Sequence, residues 1–438
     1  MPIPAKPSLV ISVLNIQACR NIFLSDKFEL LLKLEKHFKL TILVNMKVLK
    51  MFETLEQTNK LLFDKITIII LPNLNPLPRK IQILNSISLY LTPQKHIFIW
   101  MARNKKFFLM PFLALLMVVS KFNFVKKCFR RIYFNAVLNS NQIHLVYGDL
   151  PSCDIYMSTS VTDISTHEKL LGIIYSKMGA RTFATTRSWD NITTYGLLCW
   201  EPEKFLSHSD YMTLNLLKLQ NFKQKHLVQA VAPNYQYKFI SENLNKQLGG
   251  SITIGYANLG KKNNPDDFQM LEWFIKDMAN DFPEINFKIF LHPDRPRKVD
   301  FLIPNNVSIE TCYFESTTLD FYYLKLRSLD ILFCGGTSVM LDAAFCGIQT
   351  YLINFEIIKQ PYLLSALRYH DTWPHTRDFI RLSEIDKVDS KEDIRFICNE
   401  ALRGKVGEAK LKNVKKFTGD STADLSEIVL NQLKNLSQ

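Results

Sequence analysis

The first third of the chain alternates short apolar runs with segments in which apolar residues recur at helical spacing. Residues 9–14, 40–45 and 66–71 are apolar runs of strand length, and residues 25–38 and 46–62 have helical periodicity. Apolar strands that alternate with amphipathic helices are typical of a parallel sheet with helices on both faces. Further strands are predicted at residues 143–147, 155–158 and 181–185.

A second alternation begins after Gly249 and Gly250. A helix is expected to start at Asn264 and Pro265, because asparagine caps helix N-termini and proline suits the first helical position. The strands predicted in this part are residues 251–256, 287–291, 330–334 and 350–354. Two such cycles predict an α/β protein with two doubly wound, Rossmann-like parallel-sheet domains that face each other across a cleft.

The polar, irregular stretch between the two cycles sets the predicted domain boundaries. Residues 1–232 form the N-terminal domain, 233–250 the linker and 251–415 the C-terminal domain. The last helix, within residues 416–438, is expected to cross back to the N-terminal domain.

The composition narrows the class of protein. The chain has 438 residues, of which 47% are hydrophobic and 22% are charged, so a disordered or collagen-like protein is excluded. Its eight cysteines include no CxxC pair, which argues against a zinc ribbon or a thioredoxin-type site and favours reduced thiols. Because the N-terminus lacks a signal-peptide pattern, we expect a cytoplasmic protein.

Much of the net charge of +13 lies in one block of the chain. From Lys65 to Gly148 there are twelve lysines and arginines and no aspartate or glutamate. Within this block, residues 107–119 form an apolar run that is shorter than the roughly 20 residues of a membrane-spanning helix. An apolar run beside clustered cations is typical of a helix that lies in a membrane interface. A buried helix with a solvated basic face fits the pattern equally well.

We expect residues 95–133 to face an anionic membrane surface, which predicts a peripheral protein at the inner face of the plasma membrane. A basic and aromatic segment also suits nucleic acid, but no nucleic-acid-binding module is visible, so nucleic acid is not expected as a partner. The lysines predicted to contact the membrane are Lys105, Lys106, Lys126 and Lys127.

The motif with the clearest chemistry is a buried strand that runs into two glycines. Gly335 and Gly336 follow the strand, and Thr337 and Ser338 then open a helix. Glycines let a ligand approach the backbone, and the first amides of a helix attract phosphate. Asp342, further along the helix, is a candidate acceptor for ribose hydroxyls. A strand-to-helix turn with an N-cap serine or threonine explains the same residues without a ligand.

Two other polar segments contain histidines. His292 and Arg295 follow a strand of the second cycle, where ligands of open parallel sheets bind, and they can donate to a leaving phosphate. An exposed turn is the simpler explanation. His375 lies in a later polar and aromatic loop, 369–379, and is a candidate catalytic residue, although a single histidine in such a loop is more often structural.

A polar segment of the first cycle follows the strand at 181–185. It contains Arg187, Trp189, Asp190 and Asn191. A carboxylate at Asp190 is a candidate base for a hydroxyl acceptor, and the three neighbours are candidate acceptor contacts. A polar turn capped by Asp190 is the alternative. No HExxH motif or CxxC pair is present, so no metal site is predicted.

Together, these segments resemble the GT-B glycosyltransferase superfamily, in the branch of bacterial surface-carbohydrate enzymes that are similar to CDP-glycerol glycerophosphotransferases and UDP-N-acetylglucosamine 2-epimerases. The resemblance rests on residues 188–196, 292–295 and 330–342 and spans about 180–355. Residues 231–234 are similar to the superfamily's V-x-G-x-P turn but lack its glycine.

The resemblance implies that the C-terminal domain binds a nucleotide-activated donor and the N-terminal domain a carbohydrate or lipid-linked acceptor. The implied donor contacts are His292, Arg295, Gly335, Gly336, Thr337 and Ser338, with Asp342 at the ribose in place of the more common glutamate. The donor, a nucleotide-sugar or CDP-polyol, is a substrate, and no further cofactor is implied.

The first hypothesis is therefore a metal-independent transferase of surface polysaccharide biosynthesis (capsule or lipopolysaccharide). It moves a sugar or glycerophosphoryl-type group to a hydroxyl, with Asp190, His292 or His375 as catalytic groups. The second is a UDP-sugar 2-epimerase on the same fold. The third is a non-catalytic protein of a membrane-surface assembly.

Overall fold

The structure is a computed structural model of the chain. It describes residues 5–24, 28–72, 76–92, 110–162, 167–231, 251–258, 267–291, 299–310, 319–336, 338–361, 365, 367–406, 412–420 and 423–437. These residues fall into two compact units. Unit 1 contains the described parts of Met1–Gln94, Pro111–Tyr237 and Lys415–Gln438, and unit 2 those of Lys95–Met110 and Lys238–Val414.

Unit 1 is built on a parallel sheet with the strand order β3-β2-β1-β4-β5-β6-β7. The strands are β1 Ser8–Val13, β2 Lys39–Val44, β3 Thr67–Ile70, β4 Ile155–Ser158, β5 Arg181–Ala184, β6 Lys204–Ser207 and β7 Leu227–Gln229. In the register, Leu9 of β1 pairs with Leu40 on one side and with Ile155 on the other. The strand order reverses between β1 and β4, and such a reversal is where open α/β sheets bind ligands.

The helices of unit 1 cover the sheet. Those before the linker are α1 Ile16–Cys19, α2 Glu29–His37, α3 Met46–Phe63, α4 Arg79–Ser88, α5 Met110–Val119, α6 Asn123–Leu138, α7 Asn141–Tyr147, α8 Glu168–Lys177, α9 Asn191–Thr194 and α10 Asp210–Lys218. A π-helical segment, Arg20–Leu24, continues α1, and a 3-10 turn, Gln224–His226, precedes β7. Tyr156 of β4 stacks on Tyr175 of α8, with ring centroids 4.5 Å apart, inside the core between sheet and helices.

Unit 2 has a parallel sheet in the order β10-β9-β8-β11-β12-β13, which reverses between β8 and β11. Its strands are β8 Thr253–Ala257, β9 Asn286–Phe290, β10 Val307–Glu310, β11 Ile331–Cys334, β12 Gln349–Ile353 and β13 Asp386–Val388. Its helices are α11 Asp267–Trp273, α12 Ala279–Asp281, α13 Leu319–Arg327, α14 Val339–Phe345, α15 Arg368–Thr372, α16 Pro374–Ser383 and α17 Lys391–Leu402, with a π-helical segment, Phe274–Met278, between α11 and α12. Tyr256 stacks on Phe274 with ring centroids 4.4 Å apart.

The last segment of the chain, with helices α18 Lys415–Thr418 and α19 Leu425–Ser437, belongs to unit 1. Lys33 of α2 holds it: the Nζ atom lies 2.8 Å from the Ser426 Oγ atom and 2.7 Å from a carboxylate oxygen of Glu427. Partial burial opposes the charged form of Lys33, but the carboxylates of Glu427, Glu29 and Asp424 together raise its pKa.

The predicted fold class, two Rossmann-like parallel-sheet domains, is confirmed. The strand predicted at 143–147 is wrong, because these residues belong to α7. The Ser140 side chain caps that helix, and Ile143 and Tyr147, four residues apart, are buried on one side while Leu145 is 86% exposed. A strand would instead have placed residues 143, 145 and 147 on one face. The predicted linker and helix start at Asn264 and Pro265 lie outside the described residues.

Candidate functional site

In unit 2, strand β11 ends in a turn of two glycines at the point where the strand order reverses. All four residues of β11 are buried, and Gly335 and Gly336 follow directly. A Cβ atom on Gly336 would lie 2.8 Å from the Cγ2 atom of Thr376 and 3.0 Å from the Cδ2 atom of His370. Glycine therefore allows the turn to pack directly against α15 and α16, which supply these two side chains.

His370 is a residue that the sequence analysis missed. Its side chain is 94% buried, with 6% exposed, and its Nε2 atom lies 3.4 Å from the position of a Gly336 Cβ atom. Burial, assisted by the positive charge of Lys387, lowers the pKa of His370 to about 4, so the imidazole is neutral at physiological pH. Its Nδ1 atom finds no hydrogen-bond partner among the described residues. The only signal in the sequence was the polar loop 369–379, which folds as α15 and the start of α16.

The other predicted residues of unit 2 have different environments. His375 is buried in the first turn of α16, with its ring 5.3 Å from that of Trp373. Ser338 is exposed and stands at the N-cap position of α14, but its side chain makes no capping hydrogen bond there. Thr337, His292 and Arg295 lie outside the described residues.

Asp342 faces the interior of unit 2. It is 9% exposed, and its Oδ2 atom accepts a hydrogen bond of 2.8 Å from the Tyr322 hydroxyl. The carboxylate thus ties α14 to α13. This corrects the prediction that Asp342 contacts a ribose, because residue 342 lies on the core side of a seven-residue helix.

In unit 1, the polar segment after β5 begins with Arg187 and Asp190. The guanidinium of Arg187 lies over the ring of Tyr195, 5.5 Å from its centroid, and donates to the Tyr195 hydroxyl. Asp190 is partly exposed, and its Oδ1 atom accepts a 2.5 Å hydrogen bond from the Ser188 hydroxyl. A carboxylate held in this way keeps one face toward solvent, which suits a group that takes a proton from a substrate.

Two neighbours of Asp190 are buried. Asn191 is 3% exposed, and its Oδ1 atom lies 3.4 Å from the Thr162 hydroxyl, which links the segments that follow β4 and β5. The Trp189 ring packs edge-on against Tyr211 and Phe417, with centroids 5.9 and 5.4 Å away. Trp189 therefore fastens α18 to unit 1. This corrects the prediction that Trp189 and Asn191 contact an acceptor, because both side chains are enclosed by protein.

The strand-order reversal of unit 1 is occupied by a carboxylate from the chain itself. Glu168, the first residue of α8, is fully buried and lies between the ends of β1 and β4. It accepts hydrogen bonds from the backbone N–H of Leu14 at 3.1 Å, the backbone N–H of Ser160 at 2.6 Å and the Ser158 hydroxyl at 2.6 Å. The donors that a bound anion would use are therefore already taken.

A histidine beside Glu168 is a second residue that the sequence analysis missed. The Nδ1 atom of His167 lies 2.6 Å from the hydroxyl of Tyr147, whose side chain is buried. Partial burial and then the charge of Lys169 lower the pKa of His167, which keeps the ring neutral. Tyr147 thus orients a neutral imidazole at the same sheet edge as Asp190.

No family model and no curated protein matches the sequence of this chain. Solved structures do match. The glycotransferase of kitacinnamycin aligns with a TM-score of 0.54 at 8% identity, over 99% of this chain and 100% of its own. A putative UDP-N-acetylglucosamine 2-epimerase from Listeria monocytogenes gives 0.52 at 12%, over 98% and 96%.

A third match is the UDP-GlcNAc 2-epimerase from Methanocaldococcus jannaschii, with a TM-score of 0.51 at 11% identity over 98% of this chain and 100% of its own. Two parallel sheets, each with a strand-order reversal, agree with these matches. The chain has the GT-B fold. At such low identities the likeness establishes the fold alone.

Within the described part of this GT-B chain, no three histidine, cysteine, aspartate or glutamate side chains are grouped to hold a metal ion. None of the helices in that part combines the length and hydrophobicity that crossing a bilayer requires.

The lysines predicted to contact a membrane differ in environment. Lys126 is 3% exposed, and its Nζ atom donates a 2.7 Å hydrogen bond to the Leu219 carbonyl. The prediction is therefore wrong for Lys126, because its ammonium is held inside unit 1. Burial and the nearby charge of Arg130 lower its pKa. Lys127 is exposed, while Lys105 and Lys106 lie outside the described residues.

Proposed function

We propose that this protein is a GT-B enzyme that acts on a nucleotide-activated sugar and binds the nucleotide in unit 2. The observation that carries the proposal is the glycine turn after β11. It offers backbone without side chains at a strand-order reversal, beside the neutral His370. In unit 1 the corresponding position is filled by Glu168, which leaves unit 2 as the nucleotide-binding unit.

The reaction we propose is transfer to a hydroxyl acceptor in surface polysaccharide biosynthesis. The acceptor oxygen bonds to the transferred carbon or phosphorus, the bond to the nucleotide phosphate breaks, and the acceptor proton passes to a base. Asp190 is the proposed base, and His167 is a second candidate because Tyr147 orients it as a neutral ring. His292, Arg295, Thr337 and Ser338 are proposed to stabilise the departing phosphate, without a metal ion.

A sugar-nucleotide 2-epimerase is the second candidate, because two of the structural matches carry that name. Such an enzyme converts its substrate without an acceptor, whereas a transferase needs one. Mass and NMR analysis of products from a nucleotide-sugar panel, with and without acceptors, distinguishes the two.

The first test is calorimetry with UDP, CDP, GDP and CMP. We expect one of them to bind to the parent, and Thr337→Ala and His292→Ala to reduce turnover at least tenfold while circular dichroism shows both folded. Absence of binding by all four nucleotides would contradict the proposal and support a non-catalytic assembly protein.

We also propose that the protein works in the cytoplasm at the inner face of the plasma membrane, where a lipid-linked acceptor would be presented. Lys127 and the exposed surface around it support this location.

A further inference from the structure

Helix α5, the turn that follows it and the first turn of α6 expose large apolar side chains. The side chains concerned are Phe112, 52% exposed, Leu115, 59%, Val118, 55%, Phe122, 55%, and Phe124, 67%. We call these five residues the α5–α6 surface. Contiguous apolar surface in water is unfavourable at about 25 cal/mol per Å², and patches of this kind mark interaction sites.

The α5–α6 surface is held firmly from behind. Leu116 and Val125 pack against the core of unit 1, on the other side of the two helices. In the turn, the buried Ser120 donates its backbone N–H to the Leu116 carbonyl at 2.9 Å and its hydroxyl to the Met117 carbonyl at 2.8 Å. The five side chains are therefore exposed on helices whose opposite sides pack against the core of unit 1.

The charged side chains of α5, of α6 and of the turn between them are all positive. Lys121, Lys127 and Arg131 are exposed, and the chain has no acidic residue between Lys65 and Gly148. Lys126 and Arg130 point inward, where Arg130 donates a 2.9 Å hydrogen bond to the Leu198 carbonyl. The exposed cations on α6 are thus those on the outer side, next to Phe124.

We propose that the α5–α6 surface inserts into the interface of an anionic lipid bilayer, with Lys121, Lys127 and Arg131 at the headgroups. This deepens the membrane location proposed above. Helix α5, with ten residues, is about 15 Å long, half of the roughly 30 Å hydrocarbon core, so it fits only in the plane of the interface. A second copy of the chain is disfavoured as occupant, because a two-fold interface would bring identical cations together.

The test is flotation of the full-length protein with vesicles of equal parts phosphatidylglycerol and phosphatidylcholine. We expect the parent to float with these vesicles and to stay at the bottom with phosphatidylcholine alone. The triple variant Phe112→Ser, Leu115→Ser, Phe124→Ser should lose flotation. The double variant Lys127→Glu, Arg131→Glu should weaken it at least tenfold, since each cation near an anionic leaflet is worth about fivefold.

Matched controls come from the α2 region of unit 1. Leu32 is 45% exposed, and Lys36 and Lys39 are exposed. Leu32→Ser and the double variant Lys36→Glu, Lys39→Glu should float like the parent. Equal flotation of the parent and the triple variant, or equal loss with the controls, would overturn the proposal.

Insertion itself is measured with Phe124→Trp and lipids brominated in the acyl chain. We expect additional quenching relative to the parent for Phe124→Trp and none for Leu32→Trp. Sedimentation velocity tests the alternative that a second copy of the chain covers this surface. A parent that is dimeric and does not float, together with a triple variant that is monomeric, would identify an interface between copies and refute the proposal.

Nucleotide calorimetry on the same variants separates this inference from the proposed function. If the protein binds nucleotide but does not float with the vesicles, only the proposed lipid-binding surface is contradicted. If the protein floats with the vesicles but binds no nucleotide, only the proposed enzyme function is contradicted.

Discussion

The two units have the same kind of sheet, and they differ in what stands at the strand-order reversal. In unit 1, Glu168 accepts hydrogen bonds from the amides of Leu14 and Ser160 at the ends of β1 and β4. In unit 2, Gly335 and Gly336 leave the end of β11 without side chains. One reversal carries its own buried anion, and the other has a glycine turn whose neighbouring side chains, Thr376 and His370, are neutral.

This difference shows how one fold is divided into two roles. Strand ends at a reversal present unpaired backbone donors, which must be satisfied by the protein or by a ligand. Glu168 satisfies them internally, so unit 1 gains stability there. Unit 2 packs His370 and Thr376 close to its glycine turn, and we propose that a nucleotide phosphate completes that site.

The strongest test of the comparison is removal of the internal carboxylate. Glu168→Ala leaves two backbone N–H groups and a hydroxyl buried without their acceptor, and each such group costs about 1–3 kcal/mol. We expect the free energy of unfolding to fall by about 3 kcal/mol or more in urea titrations.

The control is Glu203→Ala, which breaks an exposed ion pair with Arg181 whose partners are 43% and 49% exposed. Such pairs contribute about 0–1 kcal/mol. A Glu168→Ala protein as stable as this control would show that the carboxylate does not stabilise the strand ends.

The second test is the pH dependence of stability, because each unit has a buried histidine, His208 in unit 1 and His370 in unit 2. The His208 Nε2 atom lies 2.7 Å from the Thr185 hydroxyl, and burial lowers its pKa to about 3. Below about pH 6.5 the histidine of the unfolded chain binds a proton, whereas His208 in the folded protein stays neutral. The free energy of unfolding therefore falls as the pH decreases from about 6.5 toward 3. We expect a loss of about 2 kcal/mol from this residue between pH 7 and pH 5, and a flatter profile for His208→Gln.

Bound nucleotide should change the pKa of His370 and leave that of His208 unchanged. A phosphate beside His370 stabilises the protonated ring and raises its pKa from about 4, whereas His208 in unit 1 should not respond. NMR titration of the two imidazoles, with and without the bound nucleotide, measures this. A pKa of His370 that stays unchanged in the complex would place the phosphate elsewhere.

The smallest expected effect comes from one methyl group at the glycine turn. In Gly336→Ala the new Cβ atom collides with Thr376 and His370, so the turn must shift, and we expect nucleotide affinity to fall about tenfold, or 1.4 kcal/mol. Gly347→Ala is the control at the far end of α14. Its methyl meets nothing within 4 Å, although its φ of +74° adds local strain. Equal affinities for both variants would argue against a phosphate at the Gly336 turn.

The fold was predictable where strands are continuous apolar runs, because strands of a parallel sheet are buried on both faces. This held for β1, β2 and β4 and for β8, β11 and β12. The strands β6, β7, β10 and β13 were not predicted, because none of them contains more than two consecutive apolar residues. The segment 143–147 was mistaken for a strand, because a short apolar run carries no period of its own.

The amino-acid sequence by itself determined that the chain alternates strands and helices twice and that two glycines follow a buried strand, since these depend on local pattern and backbone freedom. Only the tertiary structure decided that Glu168 fills one strand-order reversal and that His370 lies beside Gly336 at the other. It also decided that Lys126 is buried while Lys127 is exposed. Each of these depends on contacts between residues distant in the chain, or on which side of a helix meets the core, and neighbours in sequence do not encode them.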